Sequence, residues 1–587
     1  MSQAPRRIFR IHPALGVARV GDAKAGEHFI GPEMPGVPAN FDLATQTFEP
    51  FKAEGRIKRQ AARFRIWECE RLADGGIVPK PTETRVGQDA VAAIEWSVHL
   101  ANRKASFFRV ERRARIADFA ATEMRNPQVV EERARRLELD CGPRKISGPL
   151  AGPVILEHSN DALRASIPNL GELRTDAGGR LLVLGGAGGT AHIDGARLAN
   201  AIDNNGWFDD VGDGPVGAVI TLNNPDGTTE RVEAIGAWVV VGPPDFAPAI
   251  RNLVTLYDAL WDLAVRFPET ALPGYAEGTP ALTALKQQRL DWRSAGACFA
   301  DYRPSFTSEI APLLERAFNI TFVHRPPGNP FHATLTQRAW ADLANPGNDK
   351  ARAGIFRTLR DPDGTVATAM AMPKAWGDDY VSQREVPPGD PRLSAPGRFL
   401  SLTRTQYALL RQWAEGRFES DGTAPAPPSA QPITPEGLDR AALENCVGGA
   451  LSPGIEVSWL VREPAIHVDP FRLELGRSVG GLPVRAGFLT QQMAVPWQAD
   501  FRDCRREPVT DPLTGERTFS MWWSAQRPDE VCLAEPGYPA VRWLRPPQFL
   551  LGDLDPARYD EMIAKWSRPG FVALQFEGRW LEHERDE

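Results

Sequence analysis

Hydrophobic and polar positions divide this chain into two patterns. Up to about residue 250 the apolar residues fall in short alternating or continuous runs bounded by turn residues: RIFRIHPALGVARVG from Arg7, ARFRIWE from Ala62, RLLVLGG from Arg180, VGAVITLN from Val216 and AIGAWVVVGPP from Ala234. Such runs predict strands, with sheet packed on sheet. Beyond residue 250 the period lengthens to that of helices. PAIRNLVTLYDALWDLAVRF from Pro248 spaces its apolar residues three and four apart, and TRTQYALLRQWAEGRF opens with Thr403 and Gln406 as a capping box. Thr434 with Pro435 starts another helix, and Asp555 with Pro556 starts a further one. In that last helix Tyr559, Met562, Ile563 and Trp566 share one face, which turns Trp566 inward. SDGTAPAPPSAQPIT, from Ser420, reads as an exposed loop over 420–435. The fold class is therefore α+β: a β-rich domain with antiparallel sheets over 1–250, and a mixed α+β domain over 251–587 carrying the site.

Composition narrows the function. The 587 residues, 42% hydrophobic, suffice for a full core, while 75 acidic against 68 basic residues leave a net charge of -7. No Lys/Arg block tracks a phosphate backbone, which argues against nucleic acid as a partner. Six cysteines without framework spacing or a C-x-x-C pair point to a reducing compartment with no structural disulfides. The N-terminus has no apolar signal core, and no run reaches the ~18 apolar residues of a membrane helix. A cytoplasmic protein with no membrane partner is the expectation.

Several stretches invite chemistry. LLVLGGAGGTAHIDG, Leu181 to Gly195, has glycines after a strand but no helix pattern behind them, so a sharp turn between strands is favoured over a dinucleotide site. His12, His99 and His192 lack metal-ligand spacing and read as structural; no metal is expected. Asp209, Asp210 and Asp213 offer oxygen ligands for a hard cation, against which local turn chemistry is the commoner use. PWQADFRDC ends in Asp500-x-x-x-Cys504 with no cysteine partner nearby. Its surroundings are aromatic, with Trp522 and Trp523 in MWWSAQRPDEV and the inward-facing Trp566.

At these residues the chain resembles the amino-acid oxidases that contain cysteine tryptophylquinone, typified by lysine epsilon-oxidase and glycine oxidase. The likeness runs in order along nearly the whole chain, through IFRIHPALGVARVGD, WSVHLANRKASFF, GWFDDVGDGPVGA, WVVVGPPDFAP, CVGGALSPGIEVSW, MAVPWQADFRDC, WWSAQRPDEV and KWSRPGFV. The resemblance implies a thioether between Cys504 and the ring of Trp566, that ring oxidised to an ortho-quinone, and Asp500 as the carboxylate of the motif. It implies oxidative deamination of an amino acid or other primary amine. The amine condenses with the quinone, Asp500 takes a proton from the amine-bearing carbon, and O2 reoxidises the cofactor to give hydrogen peroxide and ammonia. A flavoprotein matures the cofactor in that family, and homo-oligomers are common there. Cys446, Ala450, Leu451, Trp522 and Trp523 are the expected pocket residues; ALS at Ala450–Ser452 and Ser524 depart from the family pattern. Two other functions stay open at this point: a cofactor-less binding or interaction protein, and an oxidase of peptide amines.

Overall fold

The early apolar runs form strands that join through their hydrogen bonds into one sheet. In this computed structural model the described residues are 7–24, 26–71, 77–110, 122–267, 280–324, 337–365, 369–379, 386–425, 427–448, 457, 459–503, 507–510, 515–521, 524–533, 541–543 and 562–586. We label the strands that position the site β1 (Ile8–His12), β2 (Leu15–Arg19), β3 (Arg59–Arg71), β4 (Val91–Val98), β5 (Leu181–Gly185), β6 (Gly212–Asn223) and β7 (Ala237–Gly242). They belong to a 15-stranded sheet among the described residues.

β3 is long enough to serve two sets of neighbours. Its first half pairs with β5, Phe64 opposite Leu181, and its second half with β1, Arg65 opposite His12. Through β3 the strands become continuous. Pairing is mostly antiparallel, as between β4 and β6 or β6 and β7. Two pairs are parallel instead, including β2 with β7, Leu15 opposite Trp238. These two strands are buried at every position, which is why LGVA and AWVVVG read as unbroken apolar stretches.

Helices follow with the caps the sequence carries. α1 (Leu256–Arg266) begins at Thr255, whose Oγ1 accepts from the Asp258 N–H while Asp258 accepts in return. It starts eight residues later than the periodicity from Pro248 suggests. The backbone ahead of it is committed elsewhere: Thr255 bridges Val447, and the Asn252 side chain accepts from the Ala525 N–H at 2.8 Å. α2 (Arg404–Ala414) has the Thr403/Gln406 capping box, and α3 (Pro435–Glu444) is capped by Thr434 with Pro435 at its first position. Residues 421–425 and 427–433 form no regular element and are largely exposed. No helix among the described residues is long and apolar enough to cross a membrane. One contiguous core cluster extends from Phe9 to Leu581, so both parts of the chain pack against each other directly.

Candidate functional site

Trp566 follows a helical stretch at 562–565 and is 6% exposed, in keeping with an inward-facing position. The start of that helix, with Asp555, Pro556 and Tyr559, lies outside the described residues. The Trp566 ring meets Trp497 edge-on, with centroids 5.3 Å apart and planes at 73°. Trp497 opens α4 (Trp497–Asp503) and is itself edge-on to Phe501 at 5.0 Å. Helical spacing puts Trp497, Asp500 and Phe501 on one face, because residues three and four apart are neighbours on a helix surface. Cys504 lies outside the described residues, as do Ala450, Leu451, Trp522 and Trp523.

Asp500 is buried and its Oδ2 accepts from Arg527 Nη1 at 2.6 Å. Arg527, also buried, lays its guanidinium over the Phe501 ring, 4.3 Å from the centroid. An ion pair taken out of water needs close geometry to offset its desolvation, and here an aromatic face adds a cation–π contact. Arg527 stands in the WWSAQRPDEV stretch but carries no local signal of this role. The available hint was that a buried Asp500 requires a cation.

α4 is held in place from the N-terminal sheet. Lys104 donates to Asp209 Oδ1 and Oδ2 at 3.0 and 2.8 Å and to the Ala494 carbonyl at 3.0 Å, which uses all three ammonium protons. Asp209 Oδ2 also accepts from the Trp497 N–H at 3.0 Å, so a buried carboxylate satisfies a donor at the start of α4 that has no partner within the helix. Asp213 accepts from the N–H groups of Leu489 and Thr490 and from Trp238 Nε1. Arg125, paired with Asp203, donates to the carbonyls of Gln491 and Met493. These acids were weighed as a cation site or as turn formers. Asp209 and Asp213 are instead buried links that fix residues 489–497, Asp210 accepts from the Gly189 N–H of the glycine turn at 2.9 Å, and the local contact of Asp209 is a long bond from the Val211 N–H at 3.4 Å.

The glycine turn after β5 abuts the same tryptophan. A Cβ built on Gly188, which has φ +76°, would lie 2.0 Å from Trp566 Cζ2 and 2.8 Å from Cη2, so only bare backbone fits. Gln498, next to Trp497, donates from Nε2 to the Gly188 carbonyl at 2.9 Å. The turn between strands is as read from the sequence; its contact with Trp566 had no sequence signal.

The other predicted residues lie in separate settings. Cys446 is buried after α3, its Sγ donating to the Ala442 carbonyl at 3.2 Å. It lines a cavity of about 20 Å³ with Arg19, Gln60 and Asp245, room for one water rather than an amino acid. His12 is buried against Asp439, with burial pulling its pKa down, His99 bonds Asp140, and His192 packs on Trp207. Ser524 offers its carbonyl to His324 at 3.4 Å.

With this arrangement in view, comparison with known proteins is direct. Family models described as "L-Lysine epsilon oxidase N-terminal" and "L-lysine epsilon oxidase C-terminal domain" match residues 12–241 and 381–523. The chain belongs to the L-lysine epsilon-oxidase family. A curated relative, L-lysine 6-oxidase of Marinomonas mediterranea, is 29% identical over 676 residues, covering 96% of this chain and 86% of the relative. Among solved structures, that of the Schiff base intermediate of L-Lys epsilon-oxidase from the same organism with L-Lys superposes with a TM-score of 0.75 at 24% identity, over 98% of this chain and 95% of that one. A second structure of the L-Lys epsilon-oxidase from that organism gives 0.73 at 24% identity, over 98% and 94% of the two chains. The α+β fold with its large sheet is thus the fold of these oxidase structures. Both family models bear on the site, since the first contains Gly188 and Asp209 and the second Trp497, Asp500 and Cys504.

Proposed function

We propose that this protein oxidises the amine of an amino acid or other primary amine, using cysteine tryptophylquinone made from Cys504 and Trp566. The observation that carries the reading is the buried Trp566 ring, faced by bare backbone at Gly188 and packed on the helix that bears Asp500. A ring that is to gain substituents needs an edge free of neighbouring side chains, and position 188 provides one. Three buried polar atoms in the residues around it, Trp497 Nε1, Gln498 Oε1 and Asp210 Oδ1, have no hydrogen-bond partner among the described residues. Such atoms suit a site built to meet further polar groups. The residues present therefore fit the cofactor, with Cys504 and Trp566 holding it.

The quinone would supply an electron sink that takes two electrons from the substrate and passes them to O2, giving hydrogen peroxide and ammonia. The protein's residues supply the rest. Asp500 takes the proton from the amine-bearing carbon, because a carboxylate positioned at a reacting carbon can contribute about 10²–10⁴ in rate. Arg527 fixes that carboxylate through the Oδ2 contact, which narrows the approach of the base to the substrate. Trp497 and Phe501 exclude water beside it, strengthening the electrostatic contacts within. A flavoprotein partner is proposed to insert the ring oxygens during maturation. L-lysine, the substrate named for the relative, is the first amine to test.

The test is peptide mapping by mass spectrometry of protein produced with its maturation partner, alongside peroxide release from a panel of amines. A linked Cys504–Trp566 peptide carrying two added oxygens and four fewer hydrogens, with amine-dependent peroxide, is expected. Separate unmodified peptides in protein that still oxidises amines would overturn the assignment. Asp500→Asn, in protein shown to contain the linked peptide, is expected to lower kcat by about 10²-fold or more.

A further inference from the structure

The function proposed above uses the bare backbone at Gly188 but leaves aside the contacts that hold the glycine turn in place. Asp210 is 1% exposed and its Oδ2 accepts from the Gly189 N–H at 2.9 Å. The Gly188 N–H faces the same carboxyl. Gly186 must also be bare, for a different reason from Gly188: a Cβ there would lie 2.2 Å from Asp210 Oδ2 and 2.8 Å from its Cγ. The GGAGG sequence thus lets a carboxyl press into the turn from one side and the Trp566 ring press on it from the other. Gln498 holds the turn from α4 through the Gly188 carbonyl. Two anchors on opposite elements fix a single peptide unit against one tryptophan.

We propose that Asp210 is a positioning residue for Trp566: by clamping the 186–189 turn it sets the wall against the Cζ2–Cη2 edge of the ring, and so the place where the ring is modified and where substrate meets it. This rests on the function proposed above for what the ring becomes, though not for the clamp itself. Three features support it. Asp210 makes its contacts with backbone N–H groups of this turn, whereas its neighbour Asp209 is committed to Lys104 and α4. Its Oδ1 has no partner among the described residues, so nothing else recorded there accounts for burying the group. Burial pushes its pKa up to about 7, with the turn N–H groups opposing and Asp209 adding to the rise.

Two variants test it, Asp210→Ala, which removes the clamp, and Asp210→Asn, which keeps an acceptor for the Gly189 N–H. In the unmatured chain, hydroxyl-radical footprinting of Trp566, read by peptide mass, is expected to rise several-fold in Asp210→Ala and return toward wild type in Asp210→Asn. In matured protein the visible absorption of the cofactor and the yield of linked peptide should change in the same order. KM should move in Asp210→Ala along with kcat, because the wall also meets substrate. Wild-type footprinting and absorption in both variants would overturn the proposal, as would equal losses in both with the fold intact by circular dichroism. A footprint that responds as expected, in protein that never forms a linked peptide, would uphold the clamp and refute the quinone function instead.

Discussion

Replacing Lys104 with methionine probes how the sheet holds the site. The ammonium and Asp209 are both fully buried, 2.8 Å apart, and Lys104 Nζ is the only cation recorded in hydrogen-bond contact with Asp209 among the described residues. Lys104→Met leaves Asp209 with the neutral donors of Asn102, Val211 and Trp497, and takes the Nζ–H donor from the Ala494 carbonyl. Removing one partner of a buried pair strands the other charge, at a cost of about 3–5 kcal/mol, whereas an exposed pair is worth about 0–1 kcal/mol. The assay is guanidinium denaturation followed by tryptophan fluorescence, comparing wild type, Lys104→Met, Asp209→Asn and the double variant under matched conditions. Each single variant strands one member, so the double variant should cost less than the sum of the two by about 1–3 kcal/mol. A Lys104→Met effect below about 1 kcal/mol, or strict additivity in the double variant, would refute the view that this pair is an obligatory support of α4. The effect should also reach the site, since Ala494 and Trp497 lie on the segment that the pair fixes.

Other outcomes follow from the same structure. Arg527→Met leaves Asp500 buried beside an apolar residue; we expect a loss of about 3–5 kcal/mol in stability together with reduced kcat, and a normal denaturation midpoint would contradict it. Asp210 gives a pH signature: its folded carboxyl keeps its proton to about pH 7 while the unfolded one releases it near 3.8, so the folded state binds more protons in that window and stability falls as pH rises through it. Asp210→Asn should flatten that part of the stability profile measured by denaturation between pH 5 and pH 8, and an unchanged slope would show that the carboxyl does not titrate there. Thr403→Ala removes the capping box of α2 and should lower stability by about 1 kcal/mol, with no change in the mass of any cofactor peptide.

What could be read from the sequence was local. Capping pairs such as Thr403/Gln406 and Thr434/Pro435 state where helices begin, because the residues involved are neighbours and satisfy each other's backbone groups. Continuous apolar runs such as AWVVVG mark strands buried on both faces. At PWQADFRDC no helix is predicted from the sequence; that Trp497, Asp500 and Phe501 share a helix face came from the structure. The ordered family motifs singled out Asp500, Cys504 and Trp566 as the expected site residues.

Tertiary structure decided the partners. Asp500 and Arg527 are 27 residues apart, and Asp209 caps the start of α4 from 288 residues away. No periodicity encodes such pairings, because they depend on how the sheet and α4 dock, and docking is set by the whole packed core. The same holds for GGAGG, whose turn was legible while its purpose was not: Gly186 is bare for Asp210 and Gly188 for Trp566, two neighbours that only the folded chain brings together. Sequence determined which elements exist and which residue types carry reactive groups. Burial in a shared core determined which of those groups meet, since an ion pair or a bare glycine contact is stable only where packing has already excluded water and fixed the distance.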